Sequence, residues 1–312
     1  MKPDSDILKS EKNLFINYKA EFILLLVTLA WGLSFPLIKL TLADVSPVLF
    51  NFIRFAVTLL LFIIFFYKKI KHVKYIDLKY GLILGVFMIL GFVFQTIGLQ
   101  YTTASKSAFI TGTNLIFIPF IQFVILKSKP KYFNLISALI VLTGLFILSE
   151  SFEIIPNAGD ILTVICAFFF AVHIVLLDKY SAKSDVNFLI FGQFLISTVI
   201  CLFFAFFYEH LILDEMKFSV TPILLITLFF TVIFSTLIGI VFMTKFQRLT
   251  TPLKAGIIYN MESIFALIFA YFILNEIMNS NQIIGAIIML IGLIFSEIFG
   301  IINFKNLIGK KN

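Results

Sequence analysis

The sequence predicts an all-α integral membrane protein: ten transmembrane helices, arranged as two inverted five-helix repeats around a central cavity. Three observations predict it. The composition is 61% hydrophobic and 13% charged, with a mean hydropathy of +1.08, where soluble domains run at about 25% charged. The apolar residues fall in blocks of about twenty, the length that crosses roughly 30 Å of hydrocarbon. The second half of the chain also repeats the polar landmarks of the first.

The blocks lie at about 22–42, 47–67, 79–100, 106–126, 133–149, 159–178, 187–207, 222–245, 254–274 and 281–302. The first is too long for the apolar region of a signal peptide, lacks a small-residue cleavage site and runs at once into a second span, so it reads as a membrane helix. It carries the only tryptophan, Trp31, near mid-span, and Pro36, which cannot donate to the carbonyl of Gly32 and should kink the helix. Span two holds Arg54, which keeps its proton and therefore needs an acid, a helix C-terminus or an anionic ligand; Pro36, Pro119 and Arg54 are assigned structural or charge-pairing roles. Span three offers Gln95 as a cavity residue. Span four places Ser107, Thr111, Asn114, Ile118 and Gln122 on one face, and Pro119 should bend it. Span six carries His173, able to titrate near neutral pH. Span nine places Ala255, Tyr259, Glu262, Ala266 and Ala270 on one narrow face of small and polar residues. A carboxylate at mid-membrane depth costs several kcal/mol, so Glu262 is a site hypothesis by default.

Orientation follows from the basic residues. Of the 24 lysines and arginines, all but Lys39, Arg54, Lys106 and Lys217 fall on one side of the predicted spans, which puts both termini in the cytoplasm. The opposite loops are expected to carry Asp44, Glu150, Glu153, Glu209, Asp214, Glu215 and a solvated Glu276. Lys39 is read as reaching out to the surface, and Glu297 as a pairing or interfacial group. The net charge of +7 is a topology signal rather than a nucleic-acid footprint. Cys166 and Cys201 lie inside spans and imply no disulfide. Residues 1–19 and 303–312 read as polar, mobile tails, and repeats 1 and 2 occupy 20–150 and 157–302.

An offset of 148 lays Lys106 on Lys254, Asn114 on Glu262 and Gly144 on Gly292; earlier in each half an offset of 139 lays Trp31 on Phe170, Ser34 on His173 and Arg54 on Gln193. Five spans per half is odd, so the second half enters the membrane from the other side. Inverted repeats are the architecture of many secondary transporters, with the site near the midplane between the halves. No phosphate-binding loop, no HExxH and no Cys/His cluster occurs, so neither ATP hydrolysis nor metal chemistry is indicated.

The sequence Trp31-Gly-Leu-Ser-Phe35, the run Asn51-Phe-Ile-Arg-Phe55, the stretch ASKSAFITGTNLIFIP from Ala104 to Pro119, and the segment from Phe272 to Glu297 resemble the drug/metabolite transporter superfamily, EamA type. In that family a Gly-Glu pair precedes the last span; here Asn275 replaces the glycine and Glu276 matches, while Lys127 and Ser128 stand at the first-half positions. The resemblance spans residues 20 to 302. It implies two EamA repeats and transport of small metabolites without ATP or another cofactor, often as export of amino acids or related compounds. The reading is therefore a multi-pass transporter of the cytoplasmic membrane, not an enzyme, with Glu262, Asn114, Tyr259, Trp31, His173, Gln95 and Thr111 as substrate-binding candidates. Its partners are a small-molecule substrate, the bilayer and, where Glu262 titrates, a coupling proton. The alternatives are a non-transporting subunit or sensor of a membrane complex and an intramembrane lipid-modifying enzyme.

Overall fold

The computed structural model describes residues 5–71, 74–148, 157–214 and 216–309. They form ten helices: α1 Ser5–Thr41, α2 Pro47–Ile70, α3 Tyr75–Tyr101, α4 Ala104–Leu126, α5 Tyr132–Leu148, α6 Ala158–Ser181, α7 Val186–Ile212, α8 Pro222–Leu249, α9 Pro252–Leu274 and α10 Ser280–Gly309. Nine of them are long and apolar enough to cross a membrane; α5 is shorter, at 17 residues. No strand occurs among the described residues, only an isolated bridge between Val45 and Phe218.

Local chemistry explains where these helices begin. Thr103, Thr221 and Thr251 each accept a hydrogen bond from a first-turn amide of the helix that follows, and Asn157 and Asp160 form a reciprocal capping box on α6. Proline opens α2, α8 and α9, at the first helical position, where an amide would have no acceptor within the helix and the fixed φ suits the turn. α4 and α9 both end on a residue in the left-handed region, Lys127 and Asn275, each at φ 54°. These are the positions where the resembling family carries glycine, so both halves keep the backbone turn without the residue that makes it easiest.

The ends of the chain depart from expectation. α1 starts at Ser5 and α10 runs to Gly309, so most of the two segments read as polar tails continue the flanking helices. α7 passes its expected end and closes in a π-helical turn, Ala205–Ile212, which keeps Glu209 in a helix rather than a loop. Glu150, Glu153 and Glu215 lie outside the described residues.

The packing has the symmetry of an inverted duplication. α1 lies on α9 as α6 lies on α4, and α3 lies on α6 as α8 lies on α1; α2 with α7, α4 with α9 and α5 with α10 pair with their own repeat counterparts. Large apolar side chains such as Phe65, Phe120 and Phe272 point outward, at 70%, 70% and 73% exposure, as lipid-facing surface does. The polar faces point inward. Ser107, Thr111, Asn114, Ile118 and Gln122 of α4 are all buried, and so are Ala255, Tyr259, Glu262, Ala266 and Ala270 of α9. Ten helices joined by short connections, each running back against the one before, leave the start of α1 and the end of α10 on one side, here termed the termini face.

Candidate functional site

The two inward faces meet at the centre because both helices carrying them are interrupted there. α4 breaks at Thr113, between Ala104–Gly112 and Asn114–Leu126; α9 breaks at Asn260, between Pro252–Tyr259 and Met261–Leu274. Both breaks tighten the local turn, Thr113 N–H bonding the Ile110 carbonyl and Ser263 N–H the Asn260 carbonyl. Pro119 does not break α4, and α1 runs on through Pro36. Asn260, which the sequence reading passed over, donates its amide to Asn114 Oδ1 at 3.2 Å. An asparagine two residues before a mid-span acid is the available signal.

Around these breaks lies a cavity lined by residues of both halves, apolar and aromatic with a few polar groups, the make-up of small-molecule sites. Its wall repeats the duplication: Trp31 and Phe170, Ser34 and His173, Gln95 and Met243, and Asn114 and Glu262 all line it as counterpart pairs. Six of the seven expected substrate contacts, Glu262, Asn114, Tyr259, Trp31, His173 and Gln95, line this one space. Thr111 stands just behind, accepting a hydrogen bond from Gln95 Nε2 at 3.1 Å.

Glu262 is held against the wall by close backbone approach. A Cβ on Gly32 of α1 would lie 2.5 Å from Phe265 Cβ and 2.9 Å from the Glu262 carbonyl oxygen, so only glycine allows α1 this near α9. The Glu262 side chain is 8% exposed and lines the cavity. Three ion pairs occur among the described residues, and Glu262 enters none of them. It stands as a carboxylate aimed into an aromatic space.

Arg54 lines the same cavity and is 1% exposed. Its partners are not acids. Nε donates to Thr236 Oγ1 at 2.5 Å, Nη2 donates to Ser235 Oγ at 2.9 Å, and the guanidinium lies 4.7 Å from the Phe92 ring centroid. Two hydroxyls and a ring hold the group in place and leave its charge uncompensated by any carboxylate in ion-pairing range among the described residues.

The remaining polar residues are tied into hydrogen bonds. Trp31 Nε1 donates to the Ser235 carbonyl at 3.0 Å, its ring 5.4 Å from that of Tyr259. His173 Nε2 lies 2.8 Å from Gln193 Oε1. Tyr259 donates to Gln247 Oε1 at 3.0 Å, and Gln247 Nε2 donates to the Ile174 carbonyl at 2.7 Å. This chain links α9, α8 and α6 on the termini-face side. The repeat counterparts of Gln247 and Leu177 are Leu99 and Ile38; those two line the cavity, whereas Gln247 and Leu177 do not. The cavity thus reaches further toward the opposite face.

Two acids expected in the loops, Glu209 and a solvated Glu276, cap helices instead. Glu209 is 4% exposed and accepts from the Val48 and Leu49 amides and the Ser46 hydroxyl at 2.7 to 2.9 Å. Glu276 accepts from the Ala104 and Ser105 amides and the Ser105 hydroxyl. Each puts a negative charge on the N-terminus of a neighbouring helix, where the dipole favours it. Lys39 is likewise a cap, donating to the carbonyls of Leu99, Gln100 and Thr102 at the end of α3.

Residues 18–150 and 157–297 each match the EamA-like transporter family. An uncharacterized transporter of Archaeoglobus fulgidus is 32% identical over 275 residues, 88% of this chain and 84% of that protein. The uncharacterized transporter YoaV of Bacillus subtilis is 26% identical over 277 residues, 86% of this chain and 92% of that one. A solved protein structure superposes with a TM-score of 0.67 over 93% of this chain and 97% of its own, at 12% identity, a likeness of fold alone. Two family matches in tandem coincide with the two halves that the packing relates, and the chain belongs to the EamA-like transporter family.

Proposed function

We propose that this transporter is a secondary active exporter of small organic metabolites, amino acids or related compounds, across the cytoplasmic membrane, and that it works by alternating access with both termini in the cytoplasm. The observation that carries this reading is the cavity-facing Glu262 carboxylate without an ion-pair partner among the described residues. A buried carboxylate left alone is costly, and a substrate ammonium or a coupling proton offsets that cost. Arg54, fixed by Ser235 and Thr236 in the same cavity, supplies the opposite charge for a substrate carboxylate. Trp31, Tyr259 and Phe170 give the apolar walls against which the rest of a small metabolite packs. Asn114, Gln95, Thr111 and His173 complete the polar lining.

The test is flux in proteoliposomes, with candidate substrates chosen by thermal shift, since a bound ligand stabilises by RT ln(1 + [L]/Kd). Glu262→Gln keeps the shape and removes the charge. It is expected to lower flux of an amine-bearing substrate at least ~10-fold, the scale of one lost charge-assisted hydrogen bond, with folding intact. Unchanged flux and unchanged pH dependence in this variant would sink the role of Glu262. Absence of flux for every metabolite that shifts the melting temperature would favour the sensor alternative.

A further inference from the structure

Two ion pairs tie the halves together at opposite faces, and the duplication maps one onto the other. Lys106, in the first turn of α4, bonds Asp160 in the first turn of α6 at 2.9 Å. Lys254, in the first turn of α9, bonds Glu21 of α1 at 2.6 Å. Lys254 is Lys106 advanced by the 148 offset, and Asp160 is Glu21 advanced by the 139 offset. Each pair therefore joins a lysine of one half to an acid of the other. Each lysine also follows a two-threonine hairpin: Thr102-Thr103 between α3 and α4, and Thr250-Thr251 between α8 and α9. The four side chains are mostly buried, at 21% and 8% exposure in the first pair and 14% and 10% in the second. One pair thus fastens the α3–α4 hairpin to α6 at the opposite face, and the other fastens the α8–α9 hairpin to α1 at the termini face.

The termini-face pair has a third member. Glu297 of α10 binds Lys254 at 3.2 Å. It belongs to the same half as Lys254, and α10 packs chiefly on α5 rather than on α1. The repeat counterpart of Glu297 is position 149, a serine, and Lys106 has Asp160 as its one ion-pair partner among the described residues.

We propose that the two cross-half pairs are the gates of the two faces, and that Glu297 is the counter-ion that stays with Lys254 when the termini-face gate opens. Opening that face parts Lys254 from Glu21. A mostly buried ammonium stripped of its partner is penalised far more than the intact pair was worth. Glu297 leaves Lys254 with one carboxylate through the movement, so its ammonium is never stripped, whereas Lys106 has no second ion-pair partner among the described residues. Removing Glu297 therefore shuts the termini face, whereas removing Glu21 opens it. The assignment rests on the transport reading for its purpose, but its test reads conformation and needs no substrate.

The experiment uses the full chain in vesicles of both orientations, with Cys166 and Cys201 replaced by alanine. A single reporter cysteine is placed at Ile38, which lines the cavity toward the opposite face, or at its counterpart Leu177. Labelling by a membrane-impermeant maleimide is timed from each side. Lys106→Met is expected to raise labelling at Ile38→Cys, and Glu21→Gln to raise it at Leu177→Cys. Glu297→Gln is expected to lower labelling at Leu177→Cys by about fivefold, a shift that one lost ion pair commonly produces. That effect should vanish in a Lys254→Met background, where no ammonium is left to balance. Glu297→Gln that raises labelling at Leu177→Cys, leaves it unchanged, or acts equally with and without Lys254 overturns the proposal. Loss of flux with this labelling pattern intact would count against the transport reading alone.

Discussion

Asn260 and Asn114 are bonded amide to amide where the two interrupted helices cross, so the breaks in α4 and α9 form one junction rather than two separate defects. The junction is crowded. A Cβ built on Gly112 would fall on Asn260 Oδ1, and Gly112 is itself the repeat counterpart of Asn260.

Gly112→Ala is therefore expected to destabilise the protein by about 1–3 kcal/mol through overpacking, read as a lower unfolding midpoint in detergent. Asn260→Ala removes the atom that clashes. The double variant should recover part of the loss, a coupling that neighbouring residues show and distant ones do not.

Arg54→Lys conserves charge but loses the fork. A lysine cannot reach Thr236, Ser235 and the face of Phe92 together, so a loss of about 1–3 kcal/mol is expected. The same substitution in a Ser235→Ala, Thr236→Ala background should cost less. A full cost there would show that the hydroxyls are not what holds the guanidinium.

Glu209→Ala leaves the first amides of α2 and the Ser46 hydroxyl without their acceptor. The expected cost is about 1–3 kcal/mol, in the range for buried donors that lose a charged partner. Hydrogen exchange should rise at Val48 and Leu49 and stay level at the far end of α2. Uniform exchange along α2 would contradict a capping role.

The spans, the duplication and the inward faces of α4 and α9 were legible because burial leaves a 3.6-residue imprint and a charge in an apolar block has few explanations. That is how Glu262 and Asn114 were found. The partners of Arg54 were not legible, because two hydroxyls in α8 look like any other membrane serine and threonine. Hydropathy reads an acid as the end of a span, which assigns Glu209 and Glu276 to loops. In the structure each sits at a span end but caps a helix of the other half, Glu209 on α2 and Glu276 on α4. The breaks at Thr113 and Asn260 were missed for a different reason. Neither residue is a helix breaker by type, and the prolines, which are, lie elsewhere on helices that continue through them.

The bonds of Arg54 also set a condition on biosynthesis. The guanidinium enters the bilayer with α2, while its acceptors Ser235 and Thr236 lie 181 and 182 residues further along the chain. The first five helices leave the ribosome before α6, α7 or α8 exists to cover their polar faces. Until α8 follows, Arg54 lacks both hydroxyl acceptors, and a chain truncated before α8 should be cleared by membrane quality control rather than accumulate as a folded half.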